Sequence, residues 1–141
     1  MANGHFYIED LEIGMEAAHV RVVTGSDIEI FAELSGDNNP VHLDADFAAK
    51  SPFKARIAHG MLTASFISTI LGTKLPGYGC IYLSQTLRFK APVKIGDTVR
   101  ALARISSLDR DKRRAGLDCM VSVGDKVVLE GEALVLVPSR S

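Results

Sequence analysis

The 141-residue chain has no tryptophan, only five prolines and only two cysteines. Cys80 and Cys119 form no CxxC pair and show no metal-ligand spacing. That argues against a disulfide framework and a cysteine zinc site, and it fits a reduced compartment. Neither sign of charge dominates: 16 Lys and Arg against 17 Asp and Glu leave a net charge of −1. Nothing in that balance calls for general nucleic-acid binding. The basic cluster Arg110, Lys112, Arg113 and Arg114 is broken by Asp109 and Asp111, and reads as a solvated hairpin tip. The longest apolar region, Met61 to Leu71, is interrupted by Thr63, Ser65, Ser68 and Thr69. It is too short and too polar for a membrane span. The first fourteen residues lack the basic and apolar regions of a signal peptide. There is no phosphate-cradling glycine loop, no serine nucleophile motif and no dinucleotide fingerprint. The expectation is a cytoplasmic protein with no cofactor, no nucleic-acid partner and no membrane partner.

Hydrophobic residues make up 47% of the chain, and mean hydropathy is +0.15. Such a composition supports a buried central helix, or apolar surface used between copies. No repeat, low-complexity tract or linker divides the chain, so residues 1–141 read as one domain. Glu16 to Val23 is predicted as a strand. Ser26 with Glu29 fits a capping box for a helix from about Asp27 to Ser35, with Gly36 as its left-handed stop. Asp44 fits the cap of a short helix over Ala45 to Lys50. Gly60 to Lys74 is predicted as a helix apolar in nearly every direction, ended by Pro76-Gly77. After it the period becomes two: Ile81, Leu83, Leu87 and Phe89, then Val99 to Ile105, Leu117 to Val123, and a last strand Lys126 to Val137. Short connections predict a four-strand antiparallel meander, closed by the N-terminal strand. The fold class is α+β.

Chemistry concentrates in the stretch Phe31 to Ser68. Asp37 and His42 stand five residues apart across Asn-Asn-Pro-Val. A carboxylate and an imidazole both move protons near neutral pH, and Pro40 keeps the segment out of a continuous helix. Each residue also has a plain alternative. Asp37 could form an Asx turn, Asn39 could brace the loop, and His42 could be a satisfied structural histidine. His59 flanks Gly60 and fits local packing as well as catalysis. His5 and His19 lie outside the motif and read as surface residues. Asp37, His42, Asp44 and His59 could be read as a metal set, but no second histidine at helical spacing and no cysteine supports it.

The phrase SGDNNPVHLD, followed by AHGMLTASFIS, resembles the MaoC-like, R-specific (type 2) enoyl-CoA hydratases. IYLSQTLRFKAPVKIGDTV and LEGEALVLVP are similar to the same family's strand region, so the likeness spans about residues 6 to 137. It implies the hot-dog fold, an antiparallel sheet wrapped around a long helix. It also implies a homodimer joined at sheet edges, with sites near the subunit interface.

The resemblance implies that Asp37 and His42 share a catalytic water. Asp37 is expected as base toward water and His42 as the second proton carrier, the pair titrating together. Gly60 is expected to offer its backbone amide to the thioester oxygen, where the unpaired donors at a helix start favour negative charge. Asn39 and Ser68 are expected in supporting roles. For Ser68 the competing reading is a buried hydroxyl bonded to its own helix; Ser65 has no counterpart in the family pattern. Lys54, Arg56, Arg88 and Lys90 are expected to meet the phosphates of CoA. The activity implied is reversible hydration of 2-enoyl-CoA to (R)-3-hydroxyacyl-CoA. The alternatives are a 3-hydroxyacyl-[acyl-carrier-protein] dehydratase, a hot-dog thioesterase, and a non-catalytic acyl-thioester binding domain.

Overall fold

Alternation in the sequence becomes one twisted antiparallel sheet in the computed structural model, which describes residues 4–141. The elements are β1 (Glu16–Val22), α1 (Gly25–Ser35), α2 (Pro40–Leu43), α3 (Ala45–Ala49), α4 (Gly60–Thr73), β2 (Ile81–Gln85), β3 (Arg88–Phe89), β4 (Thr98–Asp109), β5 (Arg114–Val123) and β6 (Lys126–Leu136). A short 3₁₀ turn at Ile8–Asp10 precedes them. Every second residue of β4 is buried: Val99, Ala101, Ala103 and Ile105 face inward, with Leu117, Cys119 and Val121 of β5 beside them. Small alanines in mid-strand leave room for the helix that lies on this face.

That helix is α4. Leu62, Phe66, Ile67, Ile70 and Leu71 are buried against the sheet, as its apolar pattern predicts. One stripe stays uncovered: Met61, Ser68 and Gly72 are exposed and Ser65 is half-buried. The wrap is therefore incomplete in one copy of the chain. A long helix embraced by an antiparallel sheet is the hot-dog arrangement, so the α+β expectation holds.

Strand order departs from the expected meander. The sheet runs β1-β4-β5-β6-β2, with β3 also on β6. Only β4, β5 and β6 form the meander. β2 does not neighbour β4; it crosses to the far edge and pairs with β6, while β1 takes the edge beside β4. The cause is the Lys90–Asp97 connection, which is long enough to cross the layer, whereas a tight hairpin would have forced adjacency. Ile81, Tyr82 and Leu83 are consequently exposed at a free edge, at 56%, 41% and 43%. The β4–β5 turn does carry the exposed basic cluster expected there, with the Lys112 amide donating to Asp109 Oδ1 at 3.1 Å.

The start of α1 also differs. Thr24 rather than Ser26 is the N-cap: its hydroxyl accepts from the Asp27 amide at 3.1 Å, and Asp27 Oδ2 accepts from the Thr24 amide at 3.1 Å. Thr24 is still extended as it leaves the strand, which is what a cap requires. Arg21 of β1 grips Asp27 at 2.6 Å and secures that choice. The helix ends where expected, at Gly36 with φ +83°.

Candidate active site

A left-handed glycine at the end of α1 turns the chain sharply into the loop that carries Asp37. Two local bonds shape this loop: the Asp37 amide donates to Ser35 Oγ at 3.1 Å, and the Asn39 amide donates to Asp37 Oδ1 at 3.3 Å. The Asx turn foreseen for Asp37 is therefore present. Asn39 then caps α2, accepting from the Val41 amide at 3.2 Å, with Pro40 in the first turn where a missing N–H costs nothing. This one-turn helix delivers His42 inward, to 8% exposure. Asp44 caps α3 through bonds from the Asp46 and Phe47 amides, as predicted.

Asp37, His42 and His59 converge. Each presents an oxygen or nitrogen within 4.8 Å of the others. That span is about the reach of one water bonded on two sides. His42 Nδ1 donates to the Ile57 carbonyl at 2.8 Å, which in the neutral ring leaves Nε2 as the nitrogen free for proton exchange. Asp44, the fourth member of the metal set considered above, is occupied with capping instead.

Gly60 opens α4 directly beside this cluster. Its N-cap, His59, makes no side-chain cap bond, so the Gly60 and Met61 amides have no acceptor within the helix, whereas the Leu62 and Thr63 amides donate to the His59 carbonyl. The cluster and Gly60 share the wall of a cavity of about 530 Å³ whose other lining includes Phe53, Met61, Thr63, Phe89 and Val128. A polar end and an apolar body suit a ligand with a reactive head and an acyl tail. Sequence reading did not single out Phe53, Met61, Thr63 or Phe89 as lining. Their only signal was proximity to the motif or to the first long strand.

The basic residues disperse. Lys90 lines the cavity and pairs with Glu130 at 3.3 Å. Lys54 is exposed on a turn with φ +66°, outside the cavity lining. Arg56 turns onto the loop itself: its Nε donates to the His42 carbonyl at 2.6 Å, which braces α2. Arg88 lines a different cavity, with Asp118, Glu130 and Glu132. Ser68 is exposed, contrary to the buried-hydroxyl reading, and does not line the cavity. Eight residues beyond Gly60, it sits about 12 Å further along the axis, on the uncovered stripe.

Residues 11–127 match the model of the MaoC like domain. The chain is 53% identical over 134 residues to the 3-hydroxybutyryl-CoA dehydratase of Methylorubrum extorquens, covering 95% of this chain and 85% of that one. It is 50% identical to the (R)-specific enoyl-CoA hydratase of Rhodospirillum rubrum, covering 95% and 93%. Among solved structures, the (R)-hydratase from A. caviae involved in PHA biosynthesis superposes with a TM-score of 0.90 at 43% identity, covering 92% of this chain and 99% of that one.

Proposed function

The chain belongs to the MaoC-like family, and on that premise we propose that it is an (R)-specific enoyl-CoA hydratase. The reaction is reversible syn addition of water to a trans-2-enoyl-CoA, giving (R)-3-hydroxyacyl-CoA. The observation that carries this reading is the convergence of Asp37 and His42 beside the first amides of α4, at the polar end of an apolar cavity.

In this scheme Asp37 and His42 hold one water. Asp37 takes a proton from it as its oxygen bonds to the β-carbon of the enoyl group. His42, carrying a proton on Nε2 as well as on Nδ1 when the water is bound, gives the Nε2 proton to the α-carbon, and the proton taken up by Asp37 then passes to Nε2 and restores the pair. Negative charge that develops on the thioester oxygen meets the Gly60 amide and the dipole of α4. Both proton carriers lie on one side of the cavity, which supports addition to one face. Asn39 supports the pair by capping α2. Ser68, exposed on α4, has no part in the scheme. The water and two side chains suffice for the proton transfers, so activity should survive a chelator.

Of the four basic residues, Lys90 is the best placed for the CoA arm. The apolar edge of β2 supports pairing with a second copy, hence a homodimer. No helix among the described residues is long and apolar enough to cross a membrane. Two free cysteines favour a reducing cytoplasm. The product is the form of 3-hydroxyacyl-CoA that polyhydroxyalkanoate synthesis consumes, which gives the enzyme a place in fatty-acid metabolism.

The test is loss of enoyl-thioester absorbance with crotonyl-CoA. Wild type should consume it, and Asp37→Asn and His42→Ala should not. A wild-type protein inert toward short and medium enoyl-CoAs alike would overturn the proposal.

A further inference from the structure

We propose that His59 is the positioning residue of the site: its single donated hydrogen bond holds the Asp37 loop in register with His42 and Gly60. The inference rests on the reading of Asp37 and His42 as the proton-transfer pair.

His59 Nε2 donates to the Asp37 backbone carbonyl at 2.9 Å, across 22 residues of chain. Its ring stacks on His42, with centroids 3.9 Å apart and planes 26° from parallel. Phe31 of α1 closes the other side at 4.9 Å. At 2% exposure the ring is clamped between α1 and α2, and it belongs to the residue immediately before Gly60. One side chain therefore touches both members of the pair and is joined by a peptide bond to the expected oxyanion donor.

The Asp37 loop needs such an anchor. Asp37 is exposed, and the side-chain bonds that shape its turn come from residues within two positions of it. Those bonds set the turn's shape but do not place it relative to α4. The bond from His59 does, and small displacements of a reacting group lower rates steeply.

The other nitrogen of the ring strengthens the case. His59 Nδ1 is buried and has no hydrogen-bond partner. Burying an unpaired polar atom opposes folding, and a phenyl ring would fill the same slot without that cost. Space-filling alone therefore does not account for an imidazole here. The bond to Asp37 does.

The experiment measures crotonyl-CoA hydration by wild type, His59→Phe and His59→Gln, with Asp37→Asn and His42→Ala as controls. Phe keeps the stacked ring and loses the donor. Gln loses the ring but places an amide N–H near the Nε2 position. His59→Phe should lower kcat about 10- to 100-fold with KM within about threefold of wild type. His59→Gln should regain at least about fivefold of that loss. The inference falls if His59→Phe keeps wild-type kcat, if the loss lies in KM, or if Gln and Phe lose kcat equally. Should His59→Phe not fold, nitrogen-15 NMR of wild type decides: a proton on Nε2 of His59 supports the inference, and one on Nδ1 alone overturns it. The controls separate the two failures. Active Asp37→Asn and His42→Ala sink the reading of the pair; inactive controls beside a normal His59→Phe sink only the role of His59.

Discussion

The ring of Phe89 occupies the space that a side chain on Gly60 would need. A Cβ added at Gly60 would lie 2.6 Å from Phe89 Cε1 and 2.9 Å from Cδ1. Glycine at this position thus has a second physical reason besides access of a substrate oxygen to its amide. It lets β3 bring an aromatic wall against the start of α4. Phe89 is 53% exposed, so its ring can swing aside, at the expense of the cavity it lines.

Gly60→Ala keeps the backbone amide yet should lower kcat/KM about 10-fold or more, through the displaced ring. Phe89→Ala alone should have a smaller effect. In the double variant the alanine at residue 60 no longer clashes, so its additional effect should nearly vanish. A double-mutant cycle on kcat/KM should show coupling above about 0.5 kcal/mol. Strict additivity would mean that the two residues do not compete for space.

Asp37 and His42 should behave as a unit. Each of Asp37→Asn and His42→Ala should lower kcat by about 10²- to 10⁴-fold. Because both act on one water, the double variant should lose little more than the worse single variant. Losses that multiply would indicate two independent roles and two separate waters.

Much of this was legible in the chain, and what was hidden has identifiable causes. α4 and the central strands could be read because their periods, 3.6 and 2, are local properties. Asp37, Asn39 and His42 could be read because their spacing lies within one turn-rich segment. The capping of α1 was misread because Thr24-x-x-Asp27 and Ser26-x-x-Glu29 both satisfy the pattern. Where β1 ends, and where Arg21 reaches, decides between them. The order of β2 was hidden because a crossing connection and a loose hairpin look alike in sequence. The bond from His59 to Asp37 spans 22 residues, so no local pattern signals it. The resemblance points to a supporting role for Ser68, whereas its place on the uncovered stripe of α4, outside the cavity lining of one copy, appears only once the sheet is assembled.

The free edge formed by β2 bears on oligomeric state. Ile81, Tyr82 and Leu83 expose apolar surface next to unpaired backbone groups, which invites a second strand. Replacing Ile81 and Leu83 together with lysine should shift the protein from dimer to monomer in sedimentation velocity. Because those side chains pack little within one copy, the monomer should stay folded by circular dichroism. A dimer unchanged at low micromolar concentration would move the interface elsewhere.

Asp27 ties acid stability to the helix that leads into the site. Its carboxyl is held below the usual range, first by the bond from Arg21; desolvation opposes this, and the Thr24 amide and hydroxyl add smaller downward contributions. A depressed folded-state pKa stabilises the fold above the unfolded value and loses that contribution as pH falls through the folded value. The Arg21 side chain is half exposed although that of Asp27 is only 12% exposed, so solvent reaches the pair from the Arg21 side and Asp27→Asn should cost about 1 kcal/mol at neutral pH, mostly through the lost cap. The penalty should be full at pH 7, begin to shrink below the carboxyl's usual value of 3.8, and be nearly gone once the folded-state carboxyl protonates. Thermal midpoints of wild type and Asp27→Asn from pH 7 down to about pH 2 give the check. A gap that stays constant over that window would mean that the carboxylate charge contributes nothing to the start of α1.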